Sequence, residues 1–343
     1  MKWVLRGVLA LVAVLVVLFF VFRTPDTDAA AMRAKYGAAP SQFVDLGDGL
    51  TVHLRDEGPR DAPAIILLHG SNADLHTWDL WADNLKVDMR VIRFDQVGHG
   101  LTGPDPYADY TRDNYVEHIR RVADKLGVER FLIGGNSMGG KHALAFAVKY
   151  PERVTGLVLV DASGMPMLSP ESLKTGQPKE DTQKRSSGNI GFKIAGMPGV
   201  NRIIEQVTPR MLIEKSLRQS VSVESIVTDA AVDRYWELLR YPGNRRATLQ
   251  RFAIPYDPLD RQDIAAIAAP ALIIWGEEDR LIPVAAARYL DQVMPNTTLA
   301  IYPKVGHLPQ EEAAERSLAD LRRWMATLPA APAASTPAPT QAQ

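Results

Sequence analysis

The segment RFLIGGNSMGG, residues 130–140, decides the fold of this chain. Its first part, Arg130–Ile133, is a short apolar run that predicts a β-strand, and Met138 begins a stretch with apolar residues at helical spacing. Between them lies a match to the pattern G-x-S-x-G, centred on Ser137 and followed by a further glycine. A serine on a sharp strand-to-helix turn with small neighbours is the setting of a nucleophile elbow. We therefore interpret Ser137 as a nucleophile rather than as part of an ordinary Gly-Ser turn.

Short apolar runs alternate with amphipathic segments on both sides of this elbow. The apolar runs are too continuous for a half-exposed sheet and indicate buried parallel strands; they are Ala64–Leu68, Met89–Phe94, Arg130–Ile133, Thr155–Val160, Ala271–Trp275 and Thr298–Tyr302. The segments with helical spacing are Asp74–Lys86, Asp113–Leu126, Met138–Tyr150, Val284–Met294 and Glu311–Met325. This rhythm predicts an α/β fold with a mostly parallel central sheet, helices on both faces and an antiparallel hairpin around Gly47-Asp48-Gly49 at its edge.

The strand rhythm breaks once, over residues 163–268, where the sequence becomes polar, helical and punctuated by prolines. Because the sheet is incomplete without the strands on either side, we expect a helical cap over the sheet rather than an independent domain. The core then comprises residues 41–162 and 269–328. Residues 329–343 form a Pro/Ala/Thr tail with nothing to bury, and we expect this tail to be disordered.

The N-terminal residues 1–23 form the most apolar part of the chain. Val8–Phe22 contains no polar residue, and with the preceding residues the run reaches the length that spans a bilayer. Lys2 and Arg6 precede the run and two aspartates follow it, so the positive-inside rule predicts a cytoplasmic N-terminus and an outer, periplasmic or extracellular, catalytic domain. The alternative is a signal peptide cleaved near Ala29-Ala30-Ala31, leaving a secreted protein. Residues 24–40 would be a spacer.

Composition excludes several classes of function. The 343 residues carry 39 Lys+Arg against 40 Asp+Glu, and this balance offers no basic field for nucleic acid. The absence of cysteine excludes disulfides, thiolate metal sites and a cysteine nucleophile. Histidines are scattered and no G-x-G-x-x-G opens a helix, so we predict neither a metal nor a cofactor. The expected partners are a small-molecule ester substrate and the membrane, and the oligomeric state stays open.

A serine nucleophile needs a base and an acid that orients the base. His307 is the one histidine beyond His142, and it lies directly after the last predicted strand. Asp279 follows the strand Ala271–Trp275 and is the favoured acid, with Asp161 as its rival because Asp161 also ends a strand. We therefore predict the catalytic residues Ser137, Asp279 and His307.

The developing oxyanion needs two backbone donors. The N–H of Met138, directly after the nucleophile, is one. The other is expected from the loop after Ala64–Leu68, where Gly70 lets the backbone approach and the Ser71 N–H is our choice. His69 in the same loop is interpreted as a structural residue rather than as a second base.

Over residues 40–328 the chain resembles the α/β-hydrolases. The resemblance rests on five motifs in the order found in that family: His69-Gly70, Asp95–Gly100, the Gly135–Gly140 elbow, Trp275–Asp279 and Gly306-His307. It implies an α/β-hydrolase fold and catalysis through an acyl-enzyme. Haloalkane dehalogenases and epoxide hydrolases have aspartate at the nucleophile position, so Ser137 argues against both of these branches.

The string GNSMGG resembles two branches of the family: serine esterases and lipases, and hydrolases that cleave carbon–carbon bonds in meta-cleavage products. The second branch typically has tryptophan after the catalytic histidine, where this chain has Leu308. The segments HGSNADLHTW and DASGMP look more like membrane-associated bacterial lipases and esterases. The main expectation is therefore an ester hydrolase. The alternatives are a carbon–carbon hydrolase and a non-catalytic, membrane-tethered binding protein.

Overall fold

The computed structural model describes residues 1–169, 171 and 205–329. Its centre is an eight-stranded sheet in the order β1-β2-β4-β3-β5-β6-β7-β8. The strands are β1 (Gln42–Gly47), β2 (Leu50–Glu57), β3 (Ala64–Leu68), β4 (Arg90–Phe94), β5 (Phe131–Asn136), β6 (Val154–Val160), β7 (Ala271–Gly276) and β8 (Thr297–Tyr302). Strands β3–β8 pair in parallel, whereas β1 and β2 form an antiparallel hairpin at one edge. The predicted α/β class and mostly parallel sheet are confirmed.

Helices cover both faces of the sheet. In chain order the described helices are α1 (Lys2–Phe22), α2 (Ala29–Tyr36), α3 (Asp79–Leu85), α4 (Arg112–Lys125), α5 (Met138–Lys149), α6 (Arg210–Ser220), α7 (Asp229–Leu239), α8 (Asn244–Ala253), α9 (Arg261–Ala265), α10 (Ala285–Val293), α11 (Pro309–Glu312) and α12 (Ala314–Met325). Two predicted helices are divided in the structure. The segment Asp74–Lys86 begins with a 3₁₀ turn, Leu75–Trp78, and the last predicted helix breaks at Ala313, whose φ of −135° is not helical.

The buried strands supply apolar side chains to two cores, one on each face of the sheet. In β3, Ile66 and Leu68 join one core while Ile65 and Leu67 join the other, as the two-residue period of a strand requires. All four of these side chains are fully buried. Burial of each of these side chains contributes about 1.5–3 kcal/mol to the stability of the fold, relative to an exposed position. The sheet is therefore a stable support for the loops at its carboxyl edge.

The insertion between β6 and β7 contains α6, α7, α8 and α9. We call this insertion the lid. The side chains of Leu217 and Val221 from the lid pack with Ala73 from the loop after β3 and with Leu308 beyond β8. The described part of the lid therefore lies over the carboxyl edge of the sheet. Residues 170 and 172–204 of the predicted cap, and residues 330–343 of the predicted tail, lie outside the described residues.

Helix α1 has no buried residue and, among the described residues, is the one helix long and apolar enough to cross a membrane, with a mean hydropathy of 2.9. A signal sequence has the same properties. The residues after α1, Arg23–Asp28, do not form a free linker, and we call them the strap. Thr24 N donates to Gln206 O at 2.8 Å, and Arg245 of the lid binds Thr24 O at 2.7 Å and Asp26 Oδ1 at 2.6 Å. The first part of the predicted spacer is thus bound to the lid.

Candidate active site

Ser137 occupies a strained turn between β5 and α5. Its backbone has φ 53° and ψ −115°, a conformation that L residues rarely adopt. The flanking glycines make this turn possible, because a Cβ on Gly135 would lie 2.2 Å from the carbonyl carbon of Gly139, and one on Gly139 would lie 2.2 Å from the Leu68 oxygen. The strain holds Ser137 at the N-terminus of α5, at the carboxyl edge of the sheet.

His307 and Asp279 meet beside this serine. His307 Nδ1 lies 2.7 Å from Asp279 Oδ2, and both side chains are buried. The other oxygen of Asp279 accepts backbone N–H groups from Leu281 at 2.7 Å and Ile282 at 3.1 Å, which fixes the carboxylate. Since a carboxylate only accepts, the Nδ1 proton is assigned to His307 and its Nε2 is left to take a proton. Ser137 and His307 line the same cavity.

Asp161, the rival acid, lies at the same place. One ligand atom each of Asp161, Asp279 and His307 lies within 4.8 Å of the others. Asp161 Oδ1 accepts the Gly276 N–H at 3.1 Å, while Oδ2 is buried and faces Asp279. Burial, together with the charge of Asp279, raises the pKa of Asp161 well above its usual range. Asp161 therefore holds its proton more tightly than an ordinary carboxyl group, and the structure brings to one histidine the two acids that the sequence presented as alternatives.

The same three groups are close enough to hold a cation, but the contacts favour a triad. His307 Nδ1 and Asp279 Oδ2 are already bound to each other. Asp161 Oδ1 accepts the Gly276 N–H and Asp279 Oδ1 accepts two further N–H groups, so both carboxyl groups already have partners within the fold. The three residues therefore serve proton transfer better than metal binding.

Both predicted oxyanion donors lie next to Ser137. Met138 is the first residue of α5, so its N–H has no partner within the helix. A Cβ on Gly70 would lie 3.3 Å from Ser137 Cβ, which shows how closely the loop carrying Ser71 approaches the serine. Ser71 also lines the cavity. The loop and the helix end can thus direct two N–H groups at one developing charge.

His69 shapes this loop. Its Nδ1 donates to Gly70 O at 2.7 Å, and its Nε2 accepts the N–H of Gln96 at 2.9 Å. Burial lowers the pKa of His69. The imidazole is neutral and uses both nitrogens within the fold, so His69 has a structural position.

Asn136 is a site residue that sequence reasoning missed. Its Nδ2 donates to Val160 O at 3.2 Å and to His307 O at 3.0 Å, so it ties the elbow to the histidine loop. Asn136 occupies a variable position of G-x-S-x-G, and that pattern gives no signal for such a contact.

The cavity above Ser137 has a volume of about 220 Å³. The lid and neighbouring loops supply mainly apolar lining: Ile213, Leu217, Tyr235, Leu239, Leu281 and Leu308. The hydroxyl of Tyr235 is buried and has no hydrogen-bond partner among the described residues. The cavity thus combines apolar walls with a polar end at the triad.

Arg251 of α8 places a cation behind the oxyanion loop. Its Nη2 donates to Asn72 Oδ1 at 3.1 Å, and its Nη1 lies near His99 Nε2 and 3.4 Å from Met138 Sδ. Burial lowers the pKa of Arg251, but a guanidinium stays charged. Within the described part of the chain no carboxylate contacts this guanidinium. Arg251 therefore places a positive charge behind Asn72, which lines the cavity, and outside the lining residues themselves.

Comparisons with known proteins agree with this fold. A family profile described as the alpha/beta hydrolase fold matches residues 63–314. A 2-hydroxy-6-oxononadienedioate/2-hydroxy-6-oxononatrienedioate hydrolase from Burkholderia vietnamiensis is 30% identical over 81% of this chain and 93% of that protein. The crystal structure of the meta-cleavage product hydrolase CumD from Pseudomonas fluorescens has a TM-score of 0.67 and 25% identity, covering 83% of this chain and 97% of that one. A putative lipase from Acinetobacter baumannii shares the fold, with a TM-score of 0.68 and 23% identity; the match covers 88% of this chain and 97% of the lipase chain.

These relationships correct one expectation from the sequence. The main prediction was an ester hydrolase, and it is wrong, because the similar curated proteins cleave meta-cleavage products. The prediction gave weight to Leu308 in place of tryptophan. In the structure Leu308 packs against Leu217 and Val221 of the lid, so position 308 is an apolar packing position. Leu308 also lines the cavity above Ser137.

Proposed function

This chain belongs to the α/β-hydrolase fold family, and we propose that it is a serine hydrolase that cleaves a carbon–carbon bond in 2-hydroxy-6-oxo-dienoates, the meta-cleavage products of aromatic rings. The observation that carries the proposal is its 30% identity, over 81% of the chain, to a hydrolase of this substrate class. The contact of His307 with Asp279, beside Ser137, supports nucleophilic chemistry.

The substrate class explains how a serine can break such a bond. The proton of the C2 hydroxyl first moves to C5, which gives the keto form. In that form C6 is a ketone carbonyl, and C5 is joined through the C3–C4 double bond to a second carbonyl at C2. Ser137 Oγ attacks C6 while His307 takes its proton, and the N–H groups of Ser71 and Met138 stabilise the oxyanion. The C5–C6 electron pair then moves through the chain onto the C2 oxygen, where the proton held by His307 neutralises it.

The remaining acyl-enzyme is released by water. His307 takes a proton from the water, which attacks the acyl carbon, and then gives that proton to Ser137 Oγ as the acyl bond breaks. The products are a carboxylic acid and a 2-hydroxydienoate, so one water is consumed per bond. The 2-hydroxydienoate bears a carboxylate, and the charge of Arg251, which contacts the cavity-lining Asn72, supports an anionic substrate.

The test compares two reactions at the same serine. The first assay measures loss of the colour of 2-hydroxy-6-oxohepta-2,4-dienoate, and the second measures release of p-nitrophenol from p-nitrophenyl butyrate. Both assays are made with the wild type and with Ser137→Ala. We expect kcat/KM for the dienoate to exceed that for the ester, and both activities to disappear in Ser137→Ala. A larger kcat/KM for the ester would refute the proposal, as would unchanged turnover in the variant.

We further propose that α1 anchors the enzyme in a membrane, with the catalytic domain on the outer side. The support is the apolar helix, which has no buried residue, and the basic residues Lys2 and Arg6 at its start. Alkaline carbonate extraction of membranes tests this proposal. Retention of the full-length chain is expected, and recovery of a soluble chain that begins near Ala31 would identify a cleaved signal peptide instead.

A further inference from the structure

One carboxylate, that of Glu312, receives four backbone N–H groups from two parts of the chain. Its Oε2 accepts from Gly306 at 2.9 Å and its Oε1 from Leu308 at 3.0 Å, so it holds the residues on both sides of His307. Oε2 also accepts from Ser222 at 2.7 Å and Val223 at 2.9 Å, both in the lid directly after α6. Hydrogen bonds to a charged acceptor are about twice as strong as neutral ones.

The lid and the histidine loop are also in direct backbone contact. His307 N–H donates to Ser220 O at 2.8 Å. A Cβ on Gly306 would lie 2.6 Å from that same oxygen and 2.8 Å from the Cα of Val221, so only glycine allows this approach. The turn at residues 220–223 is therefore packed against the base of the triad.

We propose that Glu312 is a positioning residue that couples the position of the lid to that of His307. The carboxylate binds the amides that flank the histidine and the two lid amides at the same time. If the lid turn moves away, Glu312 loses two of its donors and His307 loses the Ser220 carbonyl. The triad is thus in its working geometry when the lid is seated on the cavity. The inference uses the proposed function only through the roles of Ser137 and His307, and it holds for either bond.

The reactivity of Ser137 then depends on Glu312, although Glu312 does not touch the substrate. A displacement of about 1 Å in a catalytic group can cost on the order of 100-fold in rate. Glu312→Ala removes all four acceptor contacts. Glu312→Gln keeps the shape but replaces one oxygen with an NH₂ group, which faces a backbone donor in either orientation.

The experiment uses the full-length protein and a fluorophosphonate probe. We measure the second-order rate constant for labelling of Ser137, and hydrogen exchange of the peptide that contains Ser222 and Val223. We expect labelling to fall about 100-fold in Glu312→Ala and about 10-fold in Glu312→Gln, with faster exchange of the lid peptide in both. Glu315→Gln, at an exposed position three residues further on, is the matched control and should behave as wild type.

Each outcome bears on one claim. Labelling at the wild-type rate in a folded Glu312→Gln variant overturns the proposal, and so does slower labelling with unchanged exchange of the lid peptide. Circular dichroism and thermal unfolding identify a variant that fails to fold, and Glu312→Gln, which preserves volume, then decides. Absence of labelling in the wild type would instead contradict the proposed function.

Discussion

Asp161 and Asp279 lie beyond the carboxyl ends of the neighbouring strands β6 and β7, and both carboxyl groups face the imidazole of His307. Each has its own backbone donors: Gly276 N–H for Asp161, and Leu281 and Ile282 N–H for Asp279. Two adjacent carboxyl groups cannot both ionise without strong repulsion, so one of them keeps its proton. The contacts assign that proton to Asp161, which leaves Asp279 as the charged partner of the histidine.

This proton makes the stability of the protein depend on pH. The pKa of Asp161 is raised in the folded state, so its contribution to stability is complete below the unfolded pKa of about 3.9 and is lost as the pH rises through the folded pKa. Asp161→Asn removes this dependence. Between the unfolded and the folded pKa, the wild type loses stability as the pH rises and the variant does not. The unfolding free energy of the variant minus that of the wild type, measured in urea titrations, should therefore grow by up to about 1.4 kcal/mol per pH unit. A constant difference would contradict the shared proton, and Asp61→Asn, at an exposed position, is the control.

Activity should separate the two acids. Asp279→Asn removes the charge that fixes the His307 tautomer, and we expect kcat to fall about 10⁴-fold. Asp161→Asn leaves an amide that can still donate to Asp279, so kcat should stay within about 10-fold of wild type, since one neutral hydrogen bond is worth about 1 kcal/mol. Steady-state kinetics near pH 7 measure both values. Equal losses in the two variants would show that the acids are not distinct in role.

Arg251→Met tests the charge behind the oxyanion loop. The guanidinium has no described carboxylate partner, so its removal should leave thermal stability unchanged or improved. For a dienoate substrate we expect kcat/KM to fall by about 10- to 100-fold, because the attraction of a nearby charge in a partly buried site is worth about 1–3 kcal/mol. The neutral ester p-nitrophenyl butyrate should be much less affected. Arg246→Met, on the same helix at an exposed position, is the control, and equal losses on both substrates would refute an anion-binding role.

Arg234 of the lid forms an ion pair with Asp74 of the loop after β3, with Nε 3.3 Å from Oδ2. Although burial alone would raise the pKa of Asp74, the charge of Arg234 and the hydrogen bonds from His76 hold it well below its usual range. Arg234→Met leaves a buried carboxylate without its cation, at an expected cost of about 3–5 kcal/mol in urea unfolding. The double variant Arg234→Met/Asp74→Asn should recover most of this loss. Absence of recovery would mean that Arg234 acts through packing alone.

The contacts of the strap with Arg245 indicate how far the N-terminus can be shortened without loss of stability. A protein that begins at Arg23 keeps Thr24 and Asp26, whereas one that begins at Met32 leaves Arg245 without these partners. We expect the shorter protein to lose about 2–3 kcal/mol of stability and the longer one to match the full chain in detergent. Thermal unfolding and turnover of a water-soluble substrate measure the effect. Equal stability of the two truncated proteins would show that the strap does not support the lid.

The parts of the site that depend on local pattern could be predicted from the sequence. The elbow is specified by glycines within five residues of Ser137, and each predicted strand lies within three residues of its observed bounds. Asp279 and His307 follow from their positions at strand ends. Many contacts across long separations escaped prediction. Glu312 meets Val223 over 89 residues and Arg251 meets Met138 over 113, and no spacing rule relates positions so far apart.

The strand-end positions favoured Asp279 over Asp161, and Asp279 does contact His307, but the sequence did not show that Asp161 lies at the same histidine. Each residue ends a strand, and sequence order alone cannot show that β6 and β7 are neighbours in the sheet. Once the strands pair, their ends meet at one edge and both acids arrive at the same histidine. The bond specificity could not be predicted either, because ester and carbon–carbon hydrolysis use the same triad and the same oxyanion donors.

The strap also has a consequence for synthesis of the chain. Its partners lie 182 to 221 residues downstream, as Thr24 with Gln206 and with Arg245 shows. At about 5–20 residues per second, the ribosome delivers them on the order of ten to forty seconds after the strap itself. The strap therefore has no partner while the ribosome synthesises β1–β6. It can bind the lid before β7 and the following Asp279 have been synthesised. Strands β7 and β8 then have to join the sheet beneath a lid whose helices are already bound to the strap.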